Sequence, residues 1–202
     1  MTLSDPNKKS PENFGQRMKR FALDSLFPIN CLICGKSDVW ICFDCENKIN
    51  FLPSQVCPYC EKAVTPSGSA CQRCKNKLFY KNISFPLDAL VSSAKYGESG
   101  LSKAIHLYKY NFISDLSEIL GRIVTKALIR NNCTLPDAII PVPLHRRRLH
   151  WRGFNQSELL AEYISLNLAP GMAIPVFSDL LSRKHHTKPQ MKIKNYAERQ
   201  KN

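Results

Sequence analysis

The sequence predicts an α/β domain with a parallel sheet, preceded by a small module organised around metal. Two observations carry this. Eight of the nine cysteines form four C-x-x-C pairs between residues 31 and 74. Downstream, short apolar runs alternate with amphipathic stretches in the order strand, helix, strand, helix, strand. The expected boundaries are a polar N-terminus with a short amphipathic helix over 1–24, the cysteine module over 25–80 and the α/β domain over 81–202.

The N-terminal "MTLSDPNKKSPEN" is polar and has no apolar core of signal-peptide length. In "FGQRMKRFALDSLF", Phe14, Met18, Phe21, Leu23 and Phe27 fall at mostly helical spacing, and Pro28 ends the run. A short helix packing on the cysteine module is expected. A membrane helix is disfavoured, because Asp24 interrupts the apolar stretch. A soluble, cytoplasmic protein without membrane insertion is expected.

The four pairs are Cys31/Cys34, Cys42/Cys45, Cys57/Cys60 and Cys71/Cys74. Two thiolates at this spacing sit on one tight turn and grip one ion, and two such turns complete a tetrahedral zinc site. Eight ligands make two sites with none left over, so two Zn²⁺ ions are expected. Disulfides and redox centres are the weaker readings, since every member is paired and no signal peptide is seen. The gaps inside sequential sites are short, seven and ten residues. Sequential and interleaved pairing therefore both stay open. Large apolar residues are few here, so metal is expected to supply most of the folding free energy.

In the second domain, 85–97 reads as a strand, about 99–110 and 114–130 as helices, "AIIPVP" as a central parallel strand, 156–168 as a helix and 173–177 as a strand. Leu116, Leu120, Ile123 and Leu128 share a face of the second helix, and Ser114 suits its N-cap. Between "AIIPVP" and the helix at 156 lies "LHRRRLHWRGFN". Ligands of open α/β sheets bind beyond the carboxyl ends of the strands, and a helix N-terminus favours an anion. Arg146, Arg147, Arg148 and Arg152 surround that position, and Gly153 permits close backbone approach. A phosphate-binding loop is one reading. A solvated charged loop, or a stripe touching nucleic-acid backbone, is the other. The net charge of +13 points to anionic partners; 18 of the 29 Lys+Arg, against nine of the 16 Asp+Glu, lie after residue 80. Trp151 is expected to pack against the sheet, with base stacking as the alternative. His185 and His186 lack the partner spacing of a metal site. Cys133 is expected to be a partly buried structural thiol.

"AIIPVPLHRRRLHWRGFNQSELLAEYI" resembles the central motif of the ComF competence-protein family, phosphoribosyltransferase-like proteins of bacterial DNA uptake. "LFPINCLICG" with the following cysteine pairs resembles its double zinc ribbon, and "SAKYGESGLSKAIHLYKY" resembles its interdomain segment. "LLSRKHHTKPQMKIKNYAERQKN" resembles its basic loop through Arg183, Thr187, Pro189, Gln190, Glu198, Arg199 and Asn202. The resemblance covers roughly residues 14–202. It implies a type I phosphoribosyltransferase-like parallel sheet in which Arg146–Arg148 and Arg152, with Gly153, Asn155 and Gln156, face phosphoribosyl pyrophosphate (PRPP) or DNA backbone. It implies a closing flap that includes Arg183, Lys184, Gln190 and Arg199. Single-stranded DNA and a competence ATPase/helicase are the implied partners. One departure stands out. The family fold's adjacent acidic pair, which binds ribose hydroxyls, has no counterpart, since no two acidic residues are neighbours anywhere in the chain. A C-terminally incomplete domain, with PRPP binding weak and transferase activity lost, is therefore expected. An active phosphoribosyltransferase of which this chain is a fragment, or a zinc-ribbon adaptor for protein contacts, are the alternatives.

Overall fold

The computed structural model of the chain describes residues 28–81, 87–97, 100–187, 195 and 197–198. The helix expected over Phe14 to Phe27 lies outside these residues, as do Gln190 and Arg199. The chain divides into two units after Lys48.

In the first unit, the chain turns back on itself around Cys31 and Cys34. The amide of Gly35 donates to the Cys31 carbonyl at 2.9 Å, and that of Cys31 donates to Lys36 at 2.8 Å. Gly35 has φ 79°, a left-handed value that glycine takes without a Cβ penalty. One short helix follows, α1 (Phe43–Asn47), with Cys42 as its N-cap. Ile41 and Cys31, Cys42 and Cys45 supply the unit's buried apolar side chains among the described residues.

The second unit opens with a two-stranded antiparallel hairpin, β1 (Gln55–Val56) and β2 (Val64–Thr65). A 3-10 turn over Pro66–Gly68 leads to α2 (Gln72–Tyr80). Residues 87–97 do not start a parallel sheet, as the sequence suggested. They lace along this hairpin module, with antiparallel bridges Ala89–Ser69 and Ala94–Phe51. The Gln55 side chain exchanges two hydrogen bonds with the Ser92 backbone, at 2.9 and 3.0 Å. The Tyr59 hydroxyl donates to the Leu87 carbonyl at 2.7 Å. The physical reason is satisfaction of backbone polar groups: the hairpin edge offers donors and acceptors that this extended segment fills.

Helices α3 (Leu101–Tyr110) and α4 (Leu116–Arg130) come next. Leu101, Ala104 and Tyr108 form the buried stripe of α3. Leu116, Leu120, Ile123 and Ala127 form that of α4, and each such large apolar side chain contributes about 1.5–3 kcal/mol. The N-cap of α4 is Asp115 rather than Ser114, and its side chain makes no capping bond. Between α3 and α4, Phe112 holds φ 61°. A left-handed aromatic residue costs of order 1–3 kcal/mol.

A seven-residue helix, α5 (Arg146–Arg152), and the longer α6 (Gln156–Asn167) follow. Helix α6 packs on α4. A Cβ on Gly121 of α4 would stand 2.6 Å from the Tyr163 ring of α6, so glycine sets their approach. The buried Tyr108 hydroxyl donates to the Gln156 carbonyl at 2.9 Å and ties α3 to α6.

Parallel pairing among the described residues is one bridge, Ile139–Val176. Ile139 donates to the Pro175 carbonyl at 2.8 Å, and Phe177 donates to the Ile139 carbonyl at 3.0 Å. The segments expected as strands carry Pro141, Pro143 and Pro175, which have no N–H to extend a ladder.

Candidate metal centres and basic cleft

The cysteine sulfurs gather into two quartets, Cys31/Cys34/Cys42/Cys45 and Cys57/Cys60/Cys71/Cys74. The pairing is sequential. All nine cysteines are free thiols. Within each quartet every sulfur lies within 4.8 Å of the others. The Cys34–Cys42 and Cys60–Cys71 sulfurs are 3.6 and 3.9 Å apart. A tetrahedral ion with Zn–S bonds near 2.3 Å has sulfur–sulfur edges of about 3.8 Å. The two clusters therefore fit two zinc ions.

The two quartets share one plan, which differs from four equivalent turns. Only the first pair of each lies on a tight turn. The second pair rides on a helix start: Cys42 and Cys71 are N-caps, and Cys45 and Cys74 lie in the first turn of α1 and α2. The Cys42 amide donates to the Cys31 sulfur at 3.4 Å, and the Cys71 amide donates to Cys57 at 3.3 Å. These N–H donors favour thiolate at Cys31 and Cys57.

Titration follows the same plan. Burial opposes ionisation of Cys31, but N–H groups of Cys34, Cys42 and Ile33 outweigh it and draw the thiol down to about 6. Burial likewise opposes ionisation of Cys57, and N–H groups of Cys71, Tyr59 and Cys60 bring it to about 6. Cys45 and Cys74 are pushed up to about 12 by burial and then by their neighbouring thiols. Each quartet thus presents a ready thiolate to an incoming cation, and in the second the amides of Ala63 and Lys62 also lower Cys60.

The basic residues gather elsewhere. A cleft of about 490 Å³ is lined by His145, Arg146, Asn155, Arg183 and Lys184, with Leu149 and Leu181 as apolar wall. His145 caps α5, its Nδ1 accepting from the Arg147 amide at 3.2 Å. Burial, then the charges of His186, Arg147, Arg183 and Arg148, keep its imidazole below the ordinary range. Asn155 caps α6 through Oδ1, which accepts from the Ser157 amide at 3.2 Å, while its Nδ2 donates to the Val142 carbonyl at 3.2 Å. Arg148 donates to the Thr187 carbonyl at 2.6 Å, and Arg183 to the Thr187 hydroxyl at 2.7 Å. Arg148 ties 183–187 to α5, and Arg183 closes that segment on itself.

The arginines lie on a helix rather than in a loop, which separates them. Arg146 lines the cleft, and Arg147 is exposed outside its lining. Arg152 sits over the Tyr110 ring at 6.0 Å, half-buried and apart from the cleft. Gly153 ends α5 with φ 84°, donating to the Leu149 carbonyl at 2.7 Å. It serves as a helix stop. Gln156 is buried under α3. Trp151 does not pack on the sheet: it is 63% exposed and meets Phe112 edge to face. The reading from sequence missed Glu158, an acid in the cleft wall. Its signal was the Asn155-x-x-Glu158 capping spacing.

Comparisons agree with these features. Residues 22–75 match the double zinc ribbon domain family. DNA utilization protein YhgH of Escherichia coli K12 is 37% identical over 115 residues, 54% of this chain and 47% of that protein. Competence protein F of Haemophilus influenzae is 30% identical over 163 residues, 74% of this chain and 68% of that protein. The chain belongs to the ComF competence-protein family. Competence protein ComFC of Bacillus subtilis is 26% identical over 130 residues, 63% of this chain and 52% of that protein. This ComF-family chain spans about half the length of the YhgH relatives it matches. No solved structure matches it significantly. Among the described residues, no helix is long and apolar enough to cross a membrane.

Proposed function

We propose that this ComF-family chain handles single-stranded DNA during uptake, with its phosphate backbone held at the basic cleft. The observation that carries this is the convergence of His145, Arg146, Arg183 and Lys184 on one concavity beside the α6 N-cap. The relatives' names, competence and DNA utilization, support the same process. In this reading the zinc ribbons are structural, the chain works in the cytoplasm where thiols stay reduced, and a competence ATPase/helicase is its partner. The 139–177 region is the start of a phosphoribosyltransferase-like sheet, for which the parallel Ile139–Val176 bridge across two helices is the support.

Salt dependence tests it. For single strands, log K falls against log[salt] with a slope of about −0.7 per phosphate neutralised. Anisotropy with labelled oligothymidylate is expected to give a slope of about −2 or steeper from Arg146, Arg183 and Lys184. Arg146→Ala is expected to lower it by about 0.7. A slope near zero overturns the reading and favours an adaptor.

A second reading is favoured by the concavity itself: a cleft of about 490 Å³ can seat a small diphosphate ligand. PRPP in this cleft would compete with oligothymidylate at equal ionic strength. Failure of PRPP to displace the oligonucleotide discards that reading and leaves the first intact.

A further inference from the structure

The face of α5 turned away from the cleft carries two unusual residues. Arg147 and Trp151 are four residues apart, about 6 Å along the axis and on one face, and both are exposed. Trp151 stands 63% open to solvent. It is not loose. The Phe112 ring braces it edge to face, with centroids 4.7 Å apart and planes at 87°. Phe112 is itself held in the left-handed region at φ 61°, a conformation that only surrounding structure can maintain. Beside it, Arg152 covers the Tyr110 ring.

We propose that Trp151, braced by Phe112, is a stacking platform for a nucleobase of single-stranded DNA, with Arg147 receiving the adjoining phosphate. This deepens the DNA-handling reading and rests on it. Charge complementarity selects the ligand: α5 carries four arginines and no acid. An open indole face gives sequence-tolerant base stacking, and a guanidinium one turn away gives a phosphate contact. An edge-to-face brace fixes the indole and leaves a face free, which lowers the ordering cost of binding.

The test uses the zinc-loaded full chain and two oligonucleotides of equal length, oligothymidylate and its abasic counterpart. The unsubstituted protein is expected to prefer oligothymidylate about tenfold. Trp151→Ala is expected to abolish that preference while leaving the salt slope unchanged. Phe112→Gly suits the positive φ, so the chain folds. It is expected to weaken the preference several-fold by freeing the indole. Preference intact in Trp151→Ala, with a normal salt slope, overturns the platform and leaves the DNA reading standing. Binding of neither oligonucleotide overturns both. Self-association that Trp151→Ala removes, without effect on either oligonucleotide, reassigns the surface to contact between copies.

Discussion

The two cysteine quartets share ligands and capping pattern, yet their surroundings differ. The second is stitched into a larger framework. Residues flanking its hairpin, Phe51 and Ser69, bridge to Ala94 and Ala89, the Ser67 hydroxyl donates to the Asn131 carbonyl at the end of α4, and Arg130 lies over the Phe51 ring at 5.1 Å. The described part of the first unit offers one five-residue helix, one turn and few buried apolar side chains. An identical metal site can thus be the sole reason a segment folds, or one fastener among several.

Zinc removal is the strongest way to break this comparison. Structural zinc contributes about 10–16 kcal/mol of apparent binding free energy in small fingers, which exceeds what a short segment gains by burial. Cys45→Ser is expected to leave one zinc by native mass spectrometry and to open 28–48 to proteolysis, with the melting of the second unit unchanged. Cys74→Ser is also expected to leave one zinc. It should instead lower the melting temperature of the second unit, with 101–167 still helical by circular dichroism. Equal and local effects of both substitutions would remove the distinction.

Two glycines probe the stitching on a smaller scale. Gly35 and Gly68 both hold positive φ, at 79° and 71°. Alanine at either costs about 1 kcal/mol in backbone conformation. A Cβ at Gly35 meets nothing within 4 Å, whereas at Gly68 it would stand 2.0 Å from the Leu90 carbonyl oxygen. Gly68→Ala must push the 87–94 segment off the hairpin and break the Leu90–Gly68 hydrogen bond of 3.0 Å. A loss of about 3 kcal/mol is expected for Gly68→Ala and about 1 kcal/mol for Gly35→Ala, measured by urea unfolding. Equal losses would mean that the lacing contributes nothing.

These features were unequally legible in the sequence. Ligand identity was plain, because C-x-x-C spacing is local chemistry. Helices α3, α4 and α6 were also plain, since 3.6-residue periodicity marks them within one or two residues. The pairing of quartets was not, because spacing cannot say which turns meet. Residues 85–97 looked like a sheet strand because an extended apolar chain is the same locally whichever edge it joins. The short helix α5 was hidden by function-like composition: "RRRLHWR" reads as a charged loop until His145 and Gly153 are recognised as its two caps. The contact of Trp151 with Phe112 was hidden too, because the two lie 39 positions apart in sequence.

The smallest expected effect is one in which the two quartets should agree. Zinc takes thiolates, so binding releases the protons its ligands still carry. Cys31 and Cys57 lie at about 6 without metal, and each is therefore already a thiolate at pH 7.5. Cys45 and Cys74, at about 12, still carry theirs. Calorimetry in buffers of different ionisation enthalpy is expected to count fewer than four protons released per zinc at pH 7.5. The count should rise as pH falls below about 6, where Cys31 and Cys57 take up protons, so zinc affinity drops more steeply there. The sign is fixed: acid opposes binding at every step. Amide donors from each quartet's own turn and helix set these shifts, so both quartets should fall short of four. A full release of four protons at pH 7.5 by Cys45→Ser or by Cys74→Ser, each reporting the quartet the other lacks, would mean that these amides hold no thiolate ready.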